Sequence, residues 1–225
     1  MQPVQTISVL LVDKRTLMRS GISLLLSPFP DLHVLGQAAS AEEALALAEA
    51  QRPDVVVSDA DLPGTLSSLD LIRSLRKLHP SARVLLLTDL YEPALIQQVI
   101  SEGAAGYLLN TITIEELVRA IRAAHDDAPI VSPEITQTLG APMGPPVDLL
   151  HHLTGREQQV LRLLARGWNN QKIAAELNIS LSTVQFHTGN IFSKLQVHNR
   201  TEAAAFALRH EPGAGQSWMP GELAS

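Results

Sequence analysis

Five short apolar runs punctuate the first 125 residues: Ile7 to Val12, Leu32 to Gly36, Asp54 to Ser58, Arg83 to Thr88 and Gly106 to Leu109. Each is about the length of a strand and rich in Val, Ile and Leu. None shows polar alternation, as expected of parallel strands buried on both faces. Between them lie stretches with helical spacing: Lys14 to Leu26, Ser40 to Ala50, Ser67 to Leu78, Pro93 to Glu102 and Ile114 to Ala124. Ser40 followed by Glu43, and Thr113 followed by Glu116, have the spacing of a helix N-cap with its reciprocal acid. From residue 153 onward the pattern changes to four helical stretches with no strand signal.

Strand and helix alternating five times predict a (βα)5 doubly wound parallel sheet of the flavodoxin-like α/β class, followed by an all-α domain. The predicted boundaries are 1–127 for the first domain, 128–148 for a linker, 149–211 for the helical domain and 212–225 for a tail. The linker is expected from Pro129, Pro133, Pro142, Pro145 and Pro146 with Gly140 and Gly144, since proline removes backbone donors and favours extended chain. One short helical turn is expected within it, around Glu134 to Leu139.

Charge sharpens this division. Residues 1–128 carry 16 acids and 10 bases, whereas 148–211 carry 5 acids and 7 bases, so an acidic module precedes a mildly basic one. The absence of cysteine excludes disulfides, thiolate metal sites and cysteine nucleophiles. No apolar run approaches the roughly 18 residues of a membrane span, and the start lacks a signal peptide pattern, so a cytoplasmic protein with no membrane partner is expected.

In doubly wound sheets the site lies at the carboxyl ends of the strands. The polar residues there are Asp13 and Lys14, Asp59 and Asp61, Thr88 and Asp89, and Asn110, an acidic crevice fed by several loops. Val9-Leu-Leu-Val-Asp13, Pro53-Asp-Val-Val-Val-Ser-Asp59 with Pro63-Gly64, Leu85-Leu-Leu-Thr88 and Gly103-Ala-Ala-Gly-Tyr107 together resemble the receiver domain of two-component response regulators. The resemblance implies that Asp59 is the phosphoacceptor, Thr88 the hydroxyl that follows the phosphoryl group and Tyr107 the aromatic that reports it.

The resemblance fails at chemically important positions. The family's second acid after the first strand, a direct Mg²⁺ ligand, is Lys14 here, and its lysine after the fifth strand is Asn110. Mg²⁺ is a hard cation held by oxygen ligands, so replacing a carboxylate by an ammonium opposes it twice. No metal is expected, with Asp13 and Asp59 the ligands if Mg²⁺ binds. Asp89 replaces a small residue and Arg15 follows Lys14. Lys14 either pairs with Asp59, filling the metal space with a fixed cation, or snorkels to solvent. If the first holds, Lys14→Asp with Asn110→Lys should restore Mg²⁺ and phosphoryl dependence.

The helical domain is similar to the tetrahelical DNA-binding domain of the NarL/LuxR family. Leu153-Thr-x-Arg156-Glu157, Ala165-x-Gly167, Asn170-x-x-Ile173-Ala174, Leu177-x-Ile179-Ser180, Thr183-Val184-x-x-His187, Ile191-x-x-Lys194-Leu195 and Asn199-Arg200-Thr201 carry the likeness. A recognition helix opening at Ser182 places Ser182, Gln185, Phe186 and Gly189 on one face, opposite Val184, Ile191 and Leu195. Gln185 can read adenine, Phe186 can meet a thymine methyl, and Lys172, Lys194, Arg200 and Arg166 are phosphate candidates. Thr183 is read as a phosphate contact or a cap.

These readings converge on a sequence-specific DNA-binding transcription regulator rather than an enzyme. It is expected to act as a homodimer on double-stranded DNA and to be controlled otherwise than by standard aspartyl phosphorylation. Control is then expected from a partner protein, a ligand, expression level or constitutive dimerisation, a histidine kinase being the partner if the receiver is phosphorylated. An ordinary phosphorylated response regulator, a hydrolase using Asp13 and Asp59, and an interaction module with weakened DNA binding are the alternatives.

Overall fold

The structure is a computed structural model that describes residues 6–89, 91–128, 130, 149–197 and 199–210. The chain forms two units, Met1–His125 and Asp126–Ser225. The linker's expected helical turn and the tail after Glu211 lie outside the described residues.

In the first unit, β1 (Ile7–Val12), β2 (Leu32–Ala38), β3 (Val55–Asp59), β4 (Arg83–Thr88) and β5 (Gly106–Leu109) form one parallel sheet in the order β2-β1-β3-β4-β5. Both faces are covered, which is why the strands are almost continuously apolar: Val9, Leu10, Val55, Val56, Leu85 and Leu86 are fully buried. The connecting helices are α1 (Thr16–Leu26), α2 (Ala41–Gln51), α3 (Ser68–Leu78), α4 (Pro93–Ser101) and α5 (Ile114–His125). Ser40 caps α2 by accepting from the Glu43 amide, and Ser67 with Asp70 forms a complete capping box on α3.

Several boundaries shift by a residue from the sequence pattern, and two larger differences have local reasons. Strand β2 continues past Gly36 to Ala38, because its register against β1 slips between Val9 and Leu10 and the chain resumes pairing at Gly36. A Cβ at Gly36 would sit 3.3 Å from Leu10 Cδ1, so glycine admits the close approach. Helix α1 begins at Thr16 rather than Lys14, because Arg15 remains extended (φ −85°, ψ 107°).

The strand order reverses between β1 and β3, the point at which doubly wound sheets bind ligands. Register places Val12 opposite Ser58 and Asp59 opposite Leu87. Asp13, Asp59 and Thr88 therefore end three adjacent strands at nearly one level.

The second unit has a single 3₁₀ turn (Leu149–His152), then α6 (Gly155–Ala165), α7 (Asn170–Leu177), α8 (Leu181–Leu195) and α9 (Arg200–His210). Its core unites Leu153, Val160, Leu164, Ile173, Val184, Ile191, Leu195 and Ala203. Caps separate the helices sharply. Thr154 and Glu157 form a capping box on α6, and Asn169 and Ser180 cap α7 and α8 through their side chains. Asn178 ends α7 in the left-handed conformation (φ 51°), the turn that directs α8 away from α7. No strand occurs among the described residues of this unit.

Candidate functional site

At the carboxyl edge of the sheet, the cation that enters the carboxylate cluster is Arg15. Its guanidinium Nη2 lies 2.9 Å from Asp13 Oδ2 and 3.3 Å from Asp59 Oδ2, while Nη1 lies 3.0 Å from Asp89 Oδ2. Nε donates to Asp13 Oδ1 at 3.1 Å, and the Arg15 amide donates to the same oxygen at 2.7 Å. One side chain thus links the ends of β1, β3 and β4. Arg15, not Lys14, has this place because the chain bends at Lys14 and the Arg15 amide closes back onto Asp13 Oδ1, which turns the Arg15 side chain toward the crevice. Asp13 and Arg15 share the crevice side.

Lys14 turns the other way and bonds Asp61, a carboxylate 82% exposed. Of the two placements left open for Lys14, the ion pair with Asp59 does not form, and the side chain lies toward solvent on Asp61. The Lys14→Asp, Asn110→Lys design would accordingly leave the occupying cation in place. Asn110 donates from Nδ2 to Asp89 Oδ1 at 2.7 Å, so it braces the acid that Arg15 holds.

The electrostatics follow from this arrangement. Burial pushes the Asp59 carboxyl above its ordinary range; the bond from the Asp61 amide and the charges of Arg15 and Lys14 oppose that push, while Asp13 adds to it. Asp89 is held below its ordinary range by the Asn110 bond and by Arg15. Asp13 and Asp59 are buried, as are Thr88 and the fully enclosed Tyr107.

The receiver resemblance implies Mg²⁺, and these side chains do not fit it. Mg²⁺ needs near-octahedral oxygen donors at roughly 2.1 Å. Both oxygens of Asp13 and one of Asp59 already face a guanidinium whose charge would repel a dication. Among the described residues, no group of three or more His, Cys, Asp or Glu is arranged to hold a metal ion.

In the helical unit, α7, the turn at Asn178 to Ser180, and α8 form a helix-turn-helix. Helix α8 starts one residue before Ser182, at Leu181, because Ser180 is its cap. Its outer face carries Ser182, Gln185, Phe186 and Gly189, all exposed, with Phe186 65% exposed. Val184, Ile191 and Leu195 point into the core.

A model described as "Response regulator receiver domain" matches residues 9–122, and one described as "Bacterial regulatory proteins, luxR family" matches residues 151–207. The response regulator VraR of Staphylococcus aureus is 34% identical over 205 residues, which cover 91% of this chain and 98% of VraR. The crystal structure of ChrA, from a heme-sensing two-component system, is 32% identical with a TM-score of 0.51, covering 90% of this chain and 96% of that one. The RcsB–DNA complex shares the fold at 22% identity and a TM-score of 0.56, with 92% and 100% covered.

The chain belongs to the luxR family of response regulators. As a luxR-family protein it is a DNA-binding transcription regulator, with a receiver domain before its helix-turn-helix domain.

Within that luxR-family domain, two of the phosphate candidates have internal tasks. Lys194 Nζ bonds the buried Glu157 carboxylate at 2.7 Å, and Glu157 in turn accepts from the Thr154 amide. Burial opposes ionisation of Glu157, but Lys194 and Thr154 outweigh it and hold its carboxyl below the ordinary range. Arg200 is buried, with Nη1 2.6 Å from Asn170 Oδ1 and Nη2 2.5 Å from Trp168 O; burial lowers its guanidinium to about 10. In the structure both cations are held by internal partners rather than standing free. Thr183 pairs through its hydroxyl with Ser180, and its amide completes the cap. Lys172 and Arg166 stand exposed; Lys172 Nζ lies 4.5 Å from the Trp168 ring centroid.

Sequence reasoning noted Arg15 only as the neighbour of Lys14, without its place among the acids, and missed two further receiver residues. Arg19, one helical turn on, bonds the Asp13 carbonyl. Glu42 accepts from Thr65 N, Thr65 Oγ1 and Leu66 N at 2.8–3.1 Å, clamping the loop after β3. Gly64 there has φ +113°, and a Cβ would come within 2.7 Å of the Glu42 carboxylate. No local motif announces a carboxylate from α2 as that loop's partner.

Proposed function

We propose that this chain regulates transcription from specific sites on double-stranded DNA as a homodimer, and that its receiver is not switched by Mg²⁺-dependent phosphorylation of Asp59. The guanidinium of Arg15 between Asp13, Asp59 and Asp89 carries this reading. A receiver acts on phosphate through charge neutralisation and positioning, and here the resident cation already neutralises the acids that would do that work. Control then comes from a protein or ligand that binds one receiver state more tightly, because only differential affinity can shift the equilibrium. A homodimer is supported by the arithmetic of contacts: Lys172 and Arg166 give one copy few phosphate partners, and pairing doubles them.

An ordinary phosphorylated regulator is the second reading, favoured by Asp59, Thr88 and Tyr107 standing buried at the family's positions. We propose neither catalysis nor a bound cofactor. No helix among the described residues is long and apolar enough to cross a membrane, and a cytoplasmic location is proposed. Incubation of the full chain with acetyl phosphate and Mg²⁺, followed by intact-mass measurement, separates the readings. No adduct is expected; an acid-labile phosphoryl adduct that vanishes in Asp59→Asn would establish the second reading.

A further inference from the structure

The face of α8 turned to solvent is built without charge. Ser182, Gln185, Phe186 and Gly189 occupy it, and Leu181 at its start is 42% exposed. An exposed phenylalanine at the centre of such a face is costly in water and makes no contribution to the core. The His187 ring meets it edge-on, with centroids 5.8 Å apart and planes inclined at 62°.

Gly189 is an independent observation. It sits in mid-helix, where glycine costs about 1 kcal/mol relative to alanine. A Cβ there would meet nothing within 4 Å inside the protein. Packing inside the protein therefore does not require the glycine. It leaves a bare backbone shelf beside Phe186, three residues along the same face. The neighbouring cation on this helix, Lys194, is held by Glu157.

We propose that this face reads adjacent A·T pairs by neutral contacts. Phe186 packs on the 5-methyl group of a thymine, Gln185 makes paired hydrogen bonds to an adenine edge, and Gly189 lets the groove edge approach the backbone. Thymine is the only base with a methyl group in the major groove, and a glutamine amide matches the adenine N6 and N7 pair. Phosphate grip is left to Lys172 and Arg166, so specificity and salt-dependent affinity reside on different helices. The proposal rests on the DNA-binding reading and adds the chemistry of what is read.

The test uses the full chain. A half-site is selected from a random duplex pool, and affinity is then measured by fluorescence anisotropy with each thymine replaced in turn by uracil, which deletes only the methyl. Uracil at one position is expected to weaken binding about fourfold, the value of one buried methyl. Phe186→Ala should abolish that difference, and Gln185→Ala should cut discrimination against guanine at a neighbouring adenine about tenfold. Gly189→Ala should raise Tm while weakening binding, a combination that a purely structural glycine would not give. If no duplex is enriched, the DNA-binding reading fails and the proposal with it. If a duplex is enriched but uracil is tolerated everywhere, or Phe186→Ala leaves the uracil penalty intact, DNA binding stands and the proposal is overturned, Phe186 then being free for a protein partner.

Discussion

The receiver crevice and the helical unit both turn basic side chains inward, but at different depths. Arg15 is 37% exposed and spans acids that range from the nearly buried Asp59 to Asp89, 63% exposed. Lys194 instead satisfies a carboxylate only 3% exposed, and Arg200 is itself buried against Trp168 and Asn170. The first arrangement is a replaceable occupant of a functional crevice; the second is part of the scaffold. Arg15 and Lys194 both face carboxylates, whereas Arg200 bonds neutral oxygens, and desolvation decides what each contact is worth. A surface pair contributes little because water and salt screen it, whereas a buried acid stripped of its partner keeps its desolvation cost.

That contrast is broken most easily at Glu157. Lys194→Ala leaves the buried Glu157 carboxylate without its cation and should cost the helical unit about 3 kcal/mol. Trp168 lies in the helical unit and residues 1–125 hold no tryptophan, so denaturant unfolding followed by tryptophan fluorescence reports on that unit and not on the receiver. Asp89→Ala in the receiver should cost about 0.5 kcal/mol or less. Equal losses, with the receiver followed by circular dichroism, would erase the distinction.

Arg200→Lys comes next, at about 2 kcal/mol, because an ammonium cannot bond Trp168 O and Asn170 in the same fork. Leaving DNA affinity per folded molecule unchanged would agree with a structural role; restored stability with lost affinity would return Arg200 to the phosphate contacts.

Smaller effects should appear with pH. Backbone amides and the Thr65 hydroxyl hold the Glu42 carboxyl at about 2. A depressed acid adds stability above its unfolded value that is lost as pH falls through the folded one. The Tm gap between wild type and Glu42→Gln should therefore be full at neutral pH and close as pH falls from about 4.5 toward about 2. Asp59 has the opposite sign. Its raised carboxyl makes the folded chain hold the proton more tightly than the unfolded one, so stability falls as pH rises through the folded value. Asp59→Asn should give a slightly higher Tm at neutral pH and none in acid; a lower Tm at neutral pH would mean that Arg15 outweighs burial.

Much of this was legible along the chain, and the failures have one cause. Apolar runs located all five strands, and capping pairs such as Ser40 with Glu43 located helix starts. The order of site positions, Asp13, Asp59 and Thr88, followed from strand ends alone. Which way a long side chain turns was not legible from residue type. Lys14 drew attention because it replaces a family acid, while the next residue, two positions from Asp13, is the one that turns into the crevice. Lys194 and Arg200 were assigned to phosphate because bases near a recognition helix are usually solvated, but their partners, Glu157 and the Trp168 carbonyl, lie 37 and 32 residues away in sequence. Such long-range pairing leaves no local trace. Gln185, Phe186 and Gly189 were legible because helical period alone places them outward.

The account turns on whether the Arg15 guanidinium holds the place where a receiver would bind a divalent cation. Titration calorimetry of Mg²⁺ into the full chain, beside the Lys14→Asp, Arg15→Ala double variant, addresses this directly. No saturable heat is expected from the wild type and a saturable isotherm from the variant. Saturable Mg²⁺ binding by the wild type, lost in Asp13→Asn, would contradict it.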